Sequence, residues 1–278
     1  MSSETIKPFY FDTETLKALA STHREAYSQA VPFPHTVIDN FLPEWALDQV
    51  LGEFPSPEKI DWHRFNAPAE NKKLTAANDA LFPPFTRQLM TQFNSAAFLR
   101  FLENLTGIEG LISDPYFLGG GLHQIQKDGF LKIHTDFNWH TKLRLERRLN
   151  LLLYLNKNWE ESYGGHLELW DKAMTQCTRK VLPVFNRCVV FSTSRFSYHG
   201  HPVPLSCPEG TTRKSLALYY YTVGRPPEEA YGAHGTLYLK RPDENWRYVR
   251  NFLARCVPPI FYDLVISIEE KIKGKKRV

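Results

Sequence analysis

Several features are scarce or absent in this sequence, and each absence excludes a class of protein. The four cysteines, Cys177, Cys188, Cys207 and Cys256, form no C-x-x-C pair, so no disulfide framework is expected and a reducing compartment is favoured. No apolar run reaches the length of about 18 residues that a membrane-spanning helix needs. The first residues, MSSET, lack a charged segment followed by an apolar run, so no signal peptide is predicted. A cytoplasmic location is the resulting expectation.

An excess of charge of one sign is also missing. The net charge is +4 over 278 residues, and part of it comes from the basic segment 271–277. Without that segment no basic field remains, and no repeat of Arg and aromatic residues suggests a nucleic-acid groove. Aromatic residues are plentiful at 14%, which suits a β-rich core that surrounds a pocket. A nucleic-acid partner is therefore not expected.

The segment LKIHTDF, residues 131–137, carries the most informative pattern in the chain. Alternate side chains of a β-strand leave the same face, so His134 and Asp136 can point together into a pocket. A second histidine from a distant segment would complete a set of two imidazoles and one carboxylate, which binds Fe(II) and leaves positions open for reactants. His199 and His201 are the candidates for that position.

Arg213 follows these histidines at the start of another strand-like run, TRKSLALY. The guanidinium group of an arginine matches a carboxylate with two parallel hydrogen bonds. The cosubstrate 2-oxoglutarate carries a distal carboxylate that needs such an anchor. Arg213 is therefore a candidate for binding it beside the iron.

Two further runs, RRLNLLLYLNKNW at 147–159 and GGHLEL at 164–169, complete a family resemblance. Together with the H-x-D pattern they resemble the prolyl-4-hydroxylase-like branch of the Fe(II)/2-oxoglutarate-dependent dioxygenase superfamily, over roughly residues 113–223. The resemblance implies that His134, Asp136 and His199 bind iron and that Arg213 holds 2-oxoglutarate. It places Tyr154 at the cosubstrate. It also places Gln124 or Gln126 where the family often has a cosubstrate-binding tyrosine.

The resemblance also implies an activity. Members of this family use Fe(II), 2-oxoglutarate and O2, with ascorbate as an optional reductant, to hydroxylate an unactivated C–H bond and release succinate and CO2. The carboxylate Asp136 favours hydroxylation over halogenation, because the halogenating relatives replace it with a small residue. A prolyl residue of a protein or peptide and a small molecule are both expected as substrate classes. The competing hypotheses are a non-catalytic jelly-roll binding module and a sensor of oxygen or 2-oxoglutarate.

The choice of the second histidine remains open on spacing. His199 stands fourteen residues before Arg213 and His201 twelve residues before it, whereas about ten is usual for the family. Spacing favours His201, while the aromatic-His-Gly context favours His199. We predict His199 as the ligand.

The predicted fold is mainly β, with a double-stranded β-helix, or jelly roll, as its core. Residues 1–112 are expected to form a supporting region with helices at 12–30, 43–54, 85–93 and 95–105, and with a loop over 55–80. Residues 113–223 are the expected oxygenase core, with strands at 116–118, 122–126, 131–136, 149–155, 166–170, 181–184, 188–192 and 215–223. Residues 224–278 are the expected helical extension, with helices at 243–255 and 261–273 and a basic tail.

The last predicted helix, 261–273, has three interpretations: it caps the barrel, it lies on an anionic membrane surface, or it forms a dimer contact. Arg147 and Arg148 precede a core strand and are expected to be solvated, with contact to an anionic substrate as the alternative. His140 is also expected to be solvated on a loop, because polar residues surround it, with a place at the mouth of the pocket as the alternative. Asn150 is expected either to donate a hydrogen bond within the pocket or to satisfy backbone groups at a strand end. The sequence does not predict an oligomeric state.

Overall fold

The computed structural model describes residues 7–244, which contain four α-helices and thirteen β-strands. The helices are α1 (Thr13–Gln29), α2 (Glu44–Glu53), α3 (Pro84–Phe93) and α4 (Ala96–Thr106). The strands are β1 (His35–Ile38), β2 (His63–Ala67), β3 (Glu70–Ala76), β4 (Ile112–Ser113), β5 (Gly121–Thr135), β6 (Trp139–His140), β7 (Leu145–Tyr154), β8 (Leu167–Trp170), β9 (Cys177–Val181), β10 (Cys188–Ser192), β11 (His199–His201), β12 (Arg213–Thr222) and β13 (Leu237–Tyr238).

The four predicted helices are confirmed, and local capping explains where they begin and end. The Asp12 carboxylate accepts the amide of Thr15 at the start of α1. Ser95 accepts the amide of Phe98 at the start of α4, and Gly107 ends that helix in the left-handed conformation, with φ of 73°. These side chains satisfy backbone groups that the first and last helical turns leave unpaired.

The loop predicted over residues 55–80 is wrong for much of its length, because β2 and β3 form an antiparallel hairpin there. Strand β3 pairs with β5 and buries Leu74, Thr75 and Ala76 against it. The hairpin carries Asn and Lys residues and a positive φ at Lys72, features that favour a loop when they are read locally. Its order comes from pairing with a strand about fifty residues away, which local sequence does not report.

The sheet is antiparallel and forms the jelly-roll fold that was predicted. Its strand order is β1-β10-β7-β12-β5-β11-β8-β9, with β2, β3, β4, β6 and β13 paired at its margins. Strand β5 joins the two layers, because its first part pairs with β12 and its last part with β11. The two strands predicted at 122–126 and 131–136 are thus one strand of 15 residues.

Two of the predicted strands differ more clearly from the observed structure. Residues 116–118 form a turn, because the Asp114 carboxylate accepts the amides of Tyr116 and Leu118. The strand predicted at 181–184 lies earlier, at β9, and stops before Pro183, which has no amide to donate. The backbone at the start of β5 requires glycine, because a Cβ on Gly121, whose φ is +91°, would lie 2.1 Å from the carbonyl oxygen of Ala76.

Each of the central strands β7, β10 and β12 has one face in the main core and one face inside the barrel. Leu149, Leu151 and Leu153 of β7 pack with the helices in a single apolar cluster that also holds Leu216 and Leu218 of β12. On the inner face a smaller cluster gathers around Phe191, and the polar residues of the site lie there as well. Residues on both sides of the predicted domain boundary near residue 112 pack in this continuous main core. The division of the chain into domains at residue 112 stays a prediction.

The described chain ends in a second unit that begins at Lys240. Within it, the guanidinium group of Arg241 pairs with the carboxylates of Asp243 and Glu244 at 3.6 and 3.5 Å. The helices predicted at 243–255 and 261–273 fall almost entirely outside the described residues, as does the membrane-surface interpretation of the second. Among residues 7–244, every helix is too short or too polar to cross a bilayer.

Candidate metal centre

Two buried histidine rings lie close together on neighbouring strands, tilted by 48° to each other. His134 of β5 pairs directly with His199 of β11, and their ring centroids are 4.4 Å apart. The Nδ1 of His134 lies 2.8 Å from the carbonyl oxygen of Lys132, and the Nδ1 of His199 lies 2.9 Å from that of Ser197. A carbonyl oxygen only accepts, so both Nδ1 atoms donate, and each Nε2 keeps a free lone pair.

The Asp136 carboxylate completes the cluster. Its Oδ1 lies 3.6 Å from the Nε2 of His134, and its Oδ2 lies 3.4 Å from the Nε2 of His199. One ligand atom from each of the three residues fits within 4.8 Å of the others. Two neutral imidazole nitrogens and one carboxylate are the donor set that non-haem Fe(II) prefers. The three residues therefore have the chemistry of an iron site.

Two buried polar side chains contact the carboxylate of Asp136. The Nδ2 of Asn150 donates to its Oδ2 at 2.7 Å, and a terminal nitrogen of Arg147 lies 3.1 Å from the same oxygen. Burial raises the pKa of Asp136, but the charge of Arg147 and the neighbouring imidazoles outweigh it and hold the pKa well below the ordinary value. Burial also lowers the pKa of His199 to about 4. At neutral pH Asp136 is charged and His199 is neutral, as metal binding requires.

Arg213 lies on the same inner face at the start of β12 and is only 5% exposed. Its Nε donates to the carbonyl oxygen of Gly165 at 2.7 Å, and one terminal nitrogen donates to the hydroxyl of Tyr154 at 3.2 Å. No carboxylate of the described chain forms an ion pair with it. A buried cation without a counter-charge is costly, so Arg213 is suited to bind an anionic ligand.

The local sequence explains how Arg213 is held. A Cβ at Gly165 would lie 3.0 Å from the Cδ of Arg213 and 2.6 Å from the Cδ2 of Leu205, so only glycine fits at this approach. Tyr154, the last residue of β7, is fully buried, and burial raises its hydroxyl pKa. The Tyr154 phenol therefore stays protonated at neutral pH and can donate a hydrogen bond to the same ligand.

The family-model comparison agrees with this geometry. Residues 120–221 match the model described as the 2OG-Fe(II) oxygenase superfamily, and this range contains every site residue described above. Over this range, which is less than half of the chain, the sequence is similar to that superfamily. Its name gives the metal and the cosubstrate of the family, Fe(II) and 2-oxoglutarate, and both fit the donor sets found here.

A curated relative and two solved structures complete the comparison. Over 87 residues the chain is 33% identical to mouse prolyl 3-hydroxylase OGFOD1, a match that covers 29% of this chain and 16% of the mouse protein. A prolyl hydroxylase from Trichoplax adhaerens, solved with a hypoxia inducible factor peptide, superimposes with a TM-score of 0.53 and 17% identity, covering 75% of this chain and 91% of that one. A prolyl 4-hydroxylase structure from Phytophthora capsici gives 0.51 and 21%, covering 80% and 69%. At these identities the two structures support the fold of the chain and nothing further.

Gln124 is the predicted site residue that the structure places elsewhere. It pairs with Lys214 on β12, whereas Arg213 pairs with Ile125, so the side chains of Gln124 and Arg213 leave opposite faces of the sheet. The amide of Gln124 donates to the carbonyl of Pro55 and accepts from the hydroxyl of Thr212. These partners occupy it, and it does not join Tyr154 and Arg213. Gln126, the alternative at this place, is half-buried further along the same strand.

His201, the alternative second histidine, lies outside the cluster of three residues. It is 3% exposed, and neither of its ring nitrogens has a hydrogen-bond partner among the described residues. Burial and the nearby charges of Arg213 and Lys73 hold its pKa well below the ordinary value. The imidazole of His201 is therefore neutral at pH 7.

Arg147, Arg148 and His140 were expected to be solvated, and this expectation is wrong for all three. They are 1%, 8% and 1% exposed, and His140 faces the Asp114 carboxylate at 3.2 Å. Arg147 also lies over the ring of Tyr219, 3.4 Å from its centroid. Counting every second residue back from Tyr154 would have placed Asn150 on the inner face. The same count places Arg147 on the outer face, but a register shift in the pairing with β12 turns its side chain inward.

The short strand β13 lies beside the candidate metal centre. Tyr238 pairs with His134, so both side chains leave the same face of the sheet, and their ring centroids are 5.6 Å apart. The side chain of Asn138 fixes this segment by accepting the amide of His234 at 2.7 Å and donating to the carbonyl of Gly232 at 3.1 Å. The aromatic ring of Tyr238 thus lies beside the candidate metal ligands. The sequence pattern did not predict this contact.

Proposed function

We propose that this chain is an Fe(II)- and 2-oxoglutarate-dependent dioxygenase that hydroxylates an unactivated C–H bond of its substrate. The observation that carries the proposal is the convergence of His134, Asp136 and His199, with both Nε2 atoms turned toward one carboxylate. When bound, Fe(II) with 2-oxoglutarate and O2 supplies the oxidising chemistry, in which one oxygen atom enters the substrate and the other enters succinate as CO2 is released.

The residues of the chain provide binding and orientation for this chemistry. His134, Asp136 and His199 would hold the metal from one side and leave the opposite side for the cosubstrate and O2. The Lys132 and Ser197 carbonyls fix the two imidazole tautomers through Nδ1, and Asn150 fixes the carboxylate. Such outer contacts orient the ligands and maintain their basicity.

Arg213 and Tyr154 would hold the distal carboxylate of 2-oxoglutarate. Support comes from the burial of Arg213 and from the lack of an acidic partner among the residues described. The hydrogen bonds of Arg213 to Gly165 and Tyr154 keep the guanidinium plane fixed, so little side-chain entropy is lost on binding. A carboxylate buried there would compensate the charge of Arg213.

We infer a prolyl residue of a peptide as the first substrate class to test, with a small molecule as the alternative. The inference rests on the match to a relative named as a prolyl 3-hydroxylase, of which this chain covers 16%. A reducing, cytoplasmic setting is part of the proposal, and it is supported by the free thiols of Cys177, Cys188 and Cys207. The oligomeric state is left to measurement.

The test is anaerobic reconstitution with Fe(II) and 2-oxoglutarate, followed by admission of O2 and quantification of succinate with and without proline-containing peptides. Asp136→Ala should abolish succinate formation without unfolding the protein, because it removes the only carboxylate of the cluster. Asp48→Ala is the matched control, since Asp48 is largely exposed and pairs with Lys157. Wild-type turnover in Asp136→Ala would refute the assignment. A protein that binds neither metal nor 2-oxoglutarate would favour the non-catalytic binding module.

A further inference from the structure

His201 is a buried polar side chain without a partner. Both of its ring nitrogens are inaccessible to solvent, and neither forms a hydrogen bond with any residue in the range 7–244. Buried polar groups are almost always hydrogen-bonded, because an unpaired one loses its hydration without compensation. In a neutral imidazole one nitrogen donates and the other accepts, so His201 holds one unused donor whichever tautomer it adopts.

The pairing of β11 places this donor between the candidate metal centre and Arg213. His199 pairs with His134 and His201 with Leu131, so the register shift between them adds its extra residue on β5 and not on β11. β11 therefore keeps its alternation, and the side chains of His199 and His201 share a face of the sheet. Gly200 pairs with Glu168 of β8, and that strand begins two residues after Gly165, whose carbonyl accepts from Arg213. His201 therefore lies one step along the strand from His199, toward the end of the barrel where the guanidinium group is anchored.

We propose that His201 is a second anchor for the anionic ligand of Arg213. The proposal rests on the proposed function, in which this ligand is 2-oxoglutarate. The imidazole N–H donates to the distal carboxylate, which accepts one pair of hydrogen bonds from Arg213 and has further lone pairs free. His201 is then a cosubstrate-contacting residue rather than a metal ligand, and its buried donor is satisfied only in the complex.

The experiment titrates 2-oxoglutarate into protein loaded with Mn(II), which does not support turnover, and follows binding by calorimetry. His201→Leu should raise the Kd for 2-oxoglutarate about tenfold, a factor that corresponds to about 1.4 kcal/mol at 25 °C. The Kd for Mn(II) should stay unchanged. His201→Gln keeps an amide donor and should recover much of the lost affinity.

A thermal melt of the ligand-free protein gives a second, independent readout. His201→Leu should leave the Tm unchanged or raise it, because it replaces an unpaired buried polar group with an apolar one. His140→Leu is the matched control, since His140 is equally buried but is bonded to Asp114. That variant should lower the Tm and leave the Kd for 2-oxoglutarate unchanged.

The outcomes separate this inference from the function on which it rests. If wild-type protein does not bind 2-oxoglutarate, the proposed function fails and this inference fails with it. If wild-type protein binds and His201→Leu binds equally well, only the role of His201 is refuted. Loss of Mn(II) affinity in His201→Leu would instead make His201 a metal ligand. Failure of both His201→Leu and His201→Gln to fold would show a structural role and would also refute the inference.

Discussion

The two faces of strand β12 have opposite properties, although they alternate residue by residue. Leu216 and Leu218 point into the main core with the helices, while Arg213 and Ser215 point into the barrel. Each apolar side chain of the outer face packs against many neighbours, so the stability of the fold does not depend on any single contact. On the inner face each polar group depends on one or two partners, as Arg213 depends on Tyr154 and Gly165. Stability and function are thus carried by different faces of the same strand.

Neighbouring residues on β12 test this comparison most strongly. Leu216→Ala should lower the free energy of unfolding by about 2–5 kcal/mol, because it leaves a cavity in a fully buried site. Ser215→Ala removes one hydroxyl from the inner face and should cost less than about 1 kcal/mol. Urea denaturation of both variants measures the difference. Equal losses of stability would contradict the division between the two faces.

Substitutions on the outer face should not change the affinity for the ligand. At a temperature where it is still folded, Leu216→Ala should bind 2-oxoglutarate with the wild-type Kd, since its side chain points away from the barrel interior. A large rise in that Kd would show that the two faces are coupled.

The adjacent pair Arg147 and Arg148 sharpens the comparison within β7. Arg147→Met removes the cation that contacts Asp136 at 3.1 Å and should lower the affinity for Fe(II) about 10- to 100-fold, as loss of an outer contact to a metal ligand does. Without that charge the pKa of Asp136 rises, so the loss should grow as the pH is lowered. Metal titration at two pH values measures both effects.

Arg148→Met is the control for this change. Arg148 lies beside Arg147 in sequence, yet its guanidinium group pairs with Glu229 at 3.2 Å and not with Asp136. Its replacement should leave the affinity for Fe(II) unchanged. If both variants lose metal to the same degree, the contact between Arg147 and Asp136 is not the cause.

Local periodicity is what made much of this site predictable. Alternation on one strand joined His134 to Asp136, and Arg213 and Tyr154 followed from the family resemblance. Other features depend on pairing between distant strands. The β2–β3 hairpin is ordered by β5, a register shift turns Arg147 inward, and the segment that carries Tyr238 reaches His134 from about a hundred residues away. The faces of a strand can be read from sequence, but bulges and partners between strands cannot.

Low pH should lower the stability of the protein through the histidines of the inner face. Burial lowers the pKa of His199 to about 4 and that of His123 to about 3, so both stay neutral in the folded protein where an unfolded chain would be protonated. The unfolded state then binds more protons below its own pKa of 6.5, and the free energy of unfolding falls as the pH drops from that value toward 4. Each such group contributes at most about 1.4 kcal/mol per pH unit.

His123→Gln isolates one of these groups without touching the metal cluster. The Nε2 of His123 donates to the carbonyl of Gly119 at 3.1 Å, and a glutamine amide can replace this donor without titrating. Urea denaturation at pH 7.5, 6.5, 5.5 and 4.5 should show a shallower loss of stability with acid than in the wild type. His63→Gln, at an exposed position, should keep the wild-type slope. If His123→Gln also keeps that slope, the acid sensitivity lies elsewhere, and the inner face at β5 tolerates the charge because solvent reaches it.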